Sequence, residues 1–169
     1  MQNIVIGHIF QFKKIINTYI KKKMKVFTDG SCLGNPGSGG FGAIGIENDD
    51  EIIFQVSGCE KNTTNNIMEL KGAIHGIKKA KEYGYEEFTI YTDSNYVMKG
   101  ITEWIEKWIK NNWRASNGKE VKNKELWKRL YELKTPKIQF IWVKAHNGNK
   151  WNGEVDKLAR TCATTQFSP

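Results

Sequence analysis

The stretch MKVFTDGSCLGNPGSGGFGAIGIENDDEIIFQVSG, Met24–Gly58, decides how this chain folds. Apolar residues run through Lys25–Asp29, Gly40–Ile46 and Glu51–Gly58, and clusters of Gly, Asn, Pro and Asp interrupt them. Short apolar runs bounded by such turn formers read as β-strands joined by tight connections, here a three-stranded antiparallel start. Further on, Ile67, Leu70, Ile74 and Ile77 recur at helical spacing across Asn66–Lys81. Thr63, Thr64 and Asn65 stand just before them and are good N-cap types. Phe88–Thr92 is a short strand ending at Asp93, followed by helical stretches over Ser94–Gly100, Thr102–Asn112 and Asn123–Leu133, the last stopped by Pro136. Ile138–Val143 reads as a final strand and Asn152–Thr164 as a final helix. The order predicts an α/β fold: a mixed five-stranded sheet, three antiparallel strands and then two more, flanked by helices.

At 169 residues the chain has room for one domain with a real core and an appendage. No run of about 18 apolar residues exists to span a bilayer, so neither a spanning segment nor a membrane partner is expected. Net charge is +8, but five of those charges are Lys13, Lys14, Lys21, Lys22 and Lys23, in a segment without acids. Residues 107–124 supply five more through Lys107, Lys110, Arg114, Lys119, Lys122 and Lys124 against Glu120 alone. The rest is mildly acidic with one basic flag. In residues 1–23, Val5, Ile9, Phe12, Ile16 and Tyr19 recur at steps of four and three, the pattern of a basic amphipathic helix. A targeting presequence, a nucleic-acid or membrane-surface arm, and residues ahead of a start at Met24 all fit it. Without the Arg and Ser of a transit peptide, the segment reads as an extension that is amphipathic or disordered, and the protein as cytoplasmic. Cys32, Cys59 and Cys162 have no metal-ligand spacing and cannot all pair within one chain. Free thiols in a reducing compartment are expected.

Chemistry is expected from carboxylates at strand ends, where an open α/β sheet meets its ligands. Asp29 closes the first strand and Asp93 closes the strand after the first helix. If those strands are neighbours, the two converge. Glu69, in the first turns of its helix, points back over that edge, and Asp156, in the last helix, completes the group. Such like charges raise one another's pKa unless cations sit among them, and hard oxygen donors favour Mg²⁺ or Mn²⁺ over zinc. Taken singly, each has a plain alternative: an Asp-Gly after a strand is a turn signal, and a helical Glu is ordinarily a solvated face.

The words around these residues resemble a known family. TDGSCLGNPGSGGFGAI (Thr28–Ile44), TTNNIMEL (Thr63–Leu70), YTDSNYVMKGITEW (Tyr91–Trp104), WVKAHNGN (Trp142–Asn149) and NGEVDKLAR (Asn152–Arg160) are similar, in order, to the signature segments of type 1 ribonuclease H of the bacterial kind with a basic protrusion. The resemblance covers Met24 to about Ala163 and implies a catalytic domain over residues 24–166. It implies an endonuclease that hydrolyses the RNA strand of RNA–DNA hybrids, leaving 5′-phosphate and 3′-hydroxyl ends, and that works as a monomer. Asp29, Glu69, Asp93 and Asp156 would hold two Mg²⁺ ions, with Mn²⁺ able to substitute, and His146 would assist proton transfer or product departure. Cys32, Asn35 and Glu69 would face RNA 2′-hydroxyls, the handle that separates RNA from DNA. Asn65 and Asn66 would reach groove edges, and Asn95, where bacterial members carry Gln, would sit with them. Trp104 would lie against the DNA strand, and Thr64 and Asn123 would grip a DNA phosphate away from the cut. Gly153 stands where those members carry an acid. Trp104 and Trp108, at i and i+4, equally read as a core stripe, and the Gly30–Gly37 glycines as turn residues. His8 and His75 match no motif. Two other functions remain open: a non-catalytic nucleic-acid-binding module, and a nuclease domain that acts with a polymerase.

Overall fold

A computed structural model describes residues 23–48, 50–145 and 148–165. The expectations for residues 1–22 and for His146 lie outside the described residues. The elements are β1 (Met24–Gly34), β2 (Gly37–Glu47), β3 (Glu51–Thr63), α1 (Asn65–Glu82), β4 (Phe88–Thr92), α2 (Asn95–Lys99), a π turn (Gly100–Trp104), α3 (Ile105–Lys110), α4 (Lys124–Leu133), β5 (Ile138–Trp142) and α5 (Lys150–Thr165). They form one mixed five-stranded sheet in the order β3-β2-β1-β4-β5. β1, β2 and β3 are antiparallel, and β4 and β5 run parallel to β1.

Alternation along β1 sends neighbouring side chains to opposite faces. Val26 joins Leu70, Ile74, Ile77, Ile90 and Trp127 in the larger core, under α1 and α4. Phe27 joins Ile44, Ile46, Trp151 and Val155 in a smaller core, under α5. The sheet is therefore covered on both faces, and α5 packs on β1, β2 and β3. Contact there is backbone to backbone: a Cβ at Gly40 would lie 2.3 Å from the Ala159 carbonyl oxygen, so only glycine lets α5 settle on β2.

Two expectations are corrected. The stretches read as separate helices over Ser94–Gly100 and Thr102–Asn112 are one continuous run over 95–110, interrupted only by the π turn. Gly100 is the apparent break in the pattern, but the helix passes through it because Gly100 is buried against the Trp127 ring, where a Cβ would not fit. The expectation of free thiols also fails for two cysteines. Cys59 on β3 and Cys162 on α5, 103 residues apart, form a disulfide with their Cα atoms 5.5 Å apart. Helix-on-sheet packing makes that pairing, and no spacing in the sequence carries it. Cys32 remains a free thiol.

Candidate active site

Register places the first two carboxylates. β4 pairs with β1 from Met24↔Phe88 to Thr28↔Thr92 and then stops, so Asp29 and Asp93 occupy the next rung side by side. β1 itself runs on to Gly34, so Asp29 sits inside a strand and not at its end, as the sequence had suggested. The crevice opens beside it because its neighbour ends. Glu69 arrives from the first turn and a half of α1, whose start is capped by Thr64, the hydroxyl oxygen accepting from Ile67 N–H at 3.3 Å. α1 can approach this closely because residue 30 is glycine: a Cβ there would lie 2.3 Å from the Glu69 nitrogen.

Oxygens of Asp29, Glu69 and Asp93 lie within 4.8 Å of one another. Asp29 and Glu69 are buried, at 6% and 5% exposure. Gly30 N–H donates to Asp29 Oδ1 at 2.9 Å, and Glu69 takes hydrogen bonds from the Gly30 amide and the Asn65 side chain. Burial first, then the charges of Asp93 and Asp156, pushes Asp29 from its ordinary 3.8 up to about 8. Burial, then Asp29 and Asp93, likewise holds Glu69 well above the usual carboxylate range. Asp156, on α5, borders the trio beside Asp29, whose proton its negative charge helps to hold, and its Oδ2 accepts from Arg160 Nη1 at 3.4 Å.

Asp29, Asp93 and Asp156 line an open cleft of about 560 Å³ together with Asn149, Asn152 and Glu154. Asn149 starts α5, its side-chain oxygen accepting from the N–H groups of Trp151 and Asn152, both at 3.0 Å. Asn152 received no role in the sequence reading. It is buried at 5% exposure and donates Nδ2–H to Asp93 Oδ2 at 3.3 Å. The available signal was its spacing, four residues before Asp156 and hence on the same helical face. The Trp142 indole N–H also secures this strand end, donating to the Asp93 carbonyl at 3.0 Å.

The residues expected at the substrate fall into two further groups. Around the β1–β2 turn, the Cys32 thiol donates to the Thr63 carbonyl at 3.3 Å, and Asn35 Oδ1 accepts from Asn65 N–H at 3.3 Å, which ties the turn to the start of α1. Asn65, Asn66 and Asn95 are exposed. In the basic flag, Trp104 is half-buried, and its ring lies 5.7 Å from that of Trp108 and 6.3 Å from that of Tyr96. Trp104, Trp108, Lys107, Asn111 and Arg114 line a depression of about 540 Å³, so Trp104 both packs and presents a face. Asn123, half-buried ahead of α4, donates Nδ2–H to the Tyr96 hydroxyl at 3.1 Å.

The family model described as RNase H matches residues 21–164. The chain belongs to the ribonuclease H family. The ribonuclease H of Neorickettsia sennetsu is 49% identical over 138 residues, covering 80% of this chain and 89% of that protein. That of Thermus thermophilus is 46% identical over 153 residues, covering 89% and 90%. Among solved structures, LC9-RNase H1, described as a type 1 RNase H with the type 2 active-site motif, matches with a TM-score of 0.74 at 29% identity, covering 84% of this chain and 72% of its own. A foamy viral protease-reverse transcriptase matches with a TM-score of 0.75 at 24% identity over 86% of this chain, a likeness of fold. Type 1 membership agrees with these relatives and with the five-stranded sheet.

Proposed function

We propose that this family member cuts the RNA strand of RNA–DNA hybrids at the cleft beside Asp29, hydrolysing the phosphodiester to leave a 5′-phosphate and a 3′-hydroxyl. The observation that carries the reading is the convergence of Asp29, Glu69 and Asp93 within 4.8 Å, with Asp156 alongside. The donor set suits a hard divalent cation: its oxygens are carboxylates, and Glu69 Oε2 is buried with no hydrogen-bond partner among the described residues. Bound by Asp29, Glu69, Asp93 and Asp156, a pair of Mg²⁺ or Mn²⁺ ions supplies positive charge to the attacking water and to the departing oxygen.

The chain's own groups prepare this site. Gly30 N–H orients Asp29, Asn152 holds one oxygen of Asp93 and leaves the other for a cation, and Asn149 anchors the helix that carries Asp156. His146, which falls between β5 and α5 in the sequence, is assigned to move a proton near the leaving group. Cys32, Asn35, Asn65, Asn66 and Asn95 are assigned to the minor groove, where RNA 2′-hydroxyls are read. Thr64, Asn123 and Trp104 are assigned to the DNA strand. All of these residues come from one chain, so a monomer suffices. Residues 24–166 form the catalytic domain and residues 1–23 an extension to it.

The test is cleavage of end-labelled RNA–DNA hybrid beside duplex RNA and single-stranded RNA, with and without Mg²⁺. Cutting confined to the hybrid and dependent on the cation is expected. Equal cutting of all three substrates would discard hybrid specificity.

A further inference from the structure

Of the three carboxylates that converge, Asp29 sits within β1 and Glu69 within α1, but Asp93 stands past the end of its element. β4 pairs with β1 as far as Thr28↔Thr92 and with β5 as far as Thr92↔Trp142, so residue 93 lies beyond the last rung of both ladders. Its hold comes from β5 by another route. Val143 N–H donates to the Thr92 carbonyl at 2.9 Å, and the Trp142 indole N–H donates to the Asp93 carbonyl at 3.0 Å. Asn152 donates to Asp93 Oδ2 at 3.3 Å. Asp93 is therefore gripped at its carbonyl by the last residue of β5 and at its carboxylate by the first turn of α5. Ser94 follows at once as the cap of α2, accepting from Val97 N–H at 3.2 Å, so the peptide that Trp142 holds is the joint between strand and helix. Turning that joint would swing the Asp93 carboxylate, and a metal-binding constellation tolerates only about 0.5 Å or 10–20° of such error. Trp142 is 44% exposed, well short of the burial Trp ordinarily reaches, so its contribution lies in the N–H more than in the packing of its ring. An indole N–H donates and cannot accept, which gives the bond a single sense.

We infer that Trp142 is a positioning residue for the metal site, acting through the Asp93 backbone: its indole N–H sets the direction from which the Asp93 carboxylate meets a divalent cation. This deepens the reading of Asp29, Glu69, Asp93 and Asp156 as metal ligands and rests on it.

The test uses the full chain, Mn²⁺ as the probe, and calorimetry without substrate as the readout. Trp142→Phe should weaken Mn²⁺ binding about tenfold, the lower end of what a metal site loses with a partner behind one of its ligands. The metal-free melting temperature should change little. In cleavage assays the Mn²⁺ concentration for half-activity should rise in step, with KM for the hybrid unchanged. In an Asp93→Asn background Trp142→Phe should cause no further loss of Mn²⁺ affinity, because the group it aims is gone. An equal loss in both backgrounds marks a general loosening and overturns the inference. If Trp142→Phe does not fold, 3-benzothienylalanine at position 142 keeps the bicyclic ring, replaces the N–H by sulfur, and should show the same loss. Unchanged Mn²⁺ affinity with either replacement overturns the role of Trp142 alone. Mn²⁺ binding that is absent in wild type, or that Asp29→Asn leaves untouched, overturns the metal-site reading beneath it.

Discussion

Asn152 donates its side-chain amide to Asp93 Oδ2 at 3.3 Å, joining the helix that carries Asp156 to the strand end that carries Asp93. Asn152 Oδ1 is buried with no hydrogen-bond partner among the described residues, so the amide is committed to Asp93 from one side. Asn152→Ala should leave the protein folded, lower activity about tenfold and raise the Mg²⁺ concentration needed for half-activity, as expected when the partner behind a metal-binding carboxylate is lost. A Mg²⁺ titration of cleavage rate reads both effects. An unchanged half-saturating concentration would separate Asn152 from the metal site.

The raised pKa of Asp29 makes a prediction about stability without metal. Because its folded value, about 8, lies above its ordinary 3.8, the folded state holds the proton more tightly than the unfolded chain. The resulting stabilisation is present below about pH 4 and is lost as pH rises through about 8. Glu69 acts in the same direction. In EDTA the melting temperature should fall across this window, and Mg²⁺ should restore it most at the alkaline end. Asp29→Asn should flatten the fall, raise the metal-free melting temperature at neutral pH by several degrees, and abolish cleavage. Thermal melts of both proteins at pH 5.5 and 8 suffice. A variant as steep in pH as wild type would contradict the assignment to Asp29.

Gly40→Ala should be among the more damaging small substitutions. The added methyl meets the Ala159 carbonyl oxygen at 2.3 Å, and a backbone group cannot swing aside as a flexible side chain can. Overpacking of this kind costs about 1–3 kcal/mol. Because α5 carries Asn152 and Asp156, activity should fall further than stability alone explains, which kcat measured well below the melting temperature would reveal.

In non-reducing denaturant only Cys32 should react with a thiol reagent, and all three cysteines after reduction. Cross-linking residues 103 apart in sequence stabilises by up to about 4–5 kcal/mol in the chain-entropy model, so dithiothreitol should lower the melting temperature. Cys162→Ser should reproduce that loss and abolish the response to dithiothreitol.

Replacing Lys107, Lys110 and Arg114 together by Gln should weaken hybrid binding and flatten the dependence of log K on log salt, each lost phosphate contact reducing the slope by about one. Lys107 and Arg114 line the depression beside Trp104, which is where the phosphates would pass. Binding isotherms at several salt concentrations decide it, and an unchanged slope would remove these side chains from the interface.

Much of this protein was legible before folding. The strand periods of Met24–Gly58, the helical period from Ile67 to Ile77 and the five ordered segments led to the sheet, the family and the four carboxylates, because short-range patterning is written in neighbouring residues. The π turn was not legible, since Gly100 looks like a break until Trp127 fills the space beside it. Nor was the Cys59–Cys162 bond, the hold of Asn152 on Asp93, or the meeting of Asn123 and Trp127 on one phenol oxygen. The chain alone determined which residue types stand at which positions on each strand and helix. Only the tertiary structure decided which of them touch, because β1–β4 register and the seating of α5 on β2 bring together groups that are dozens of residues apart in sequence.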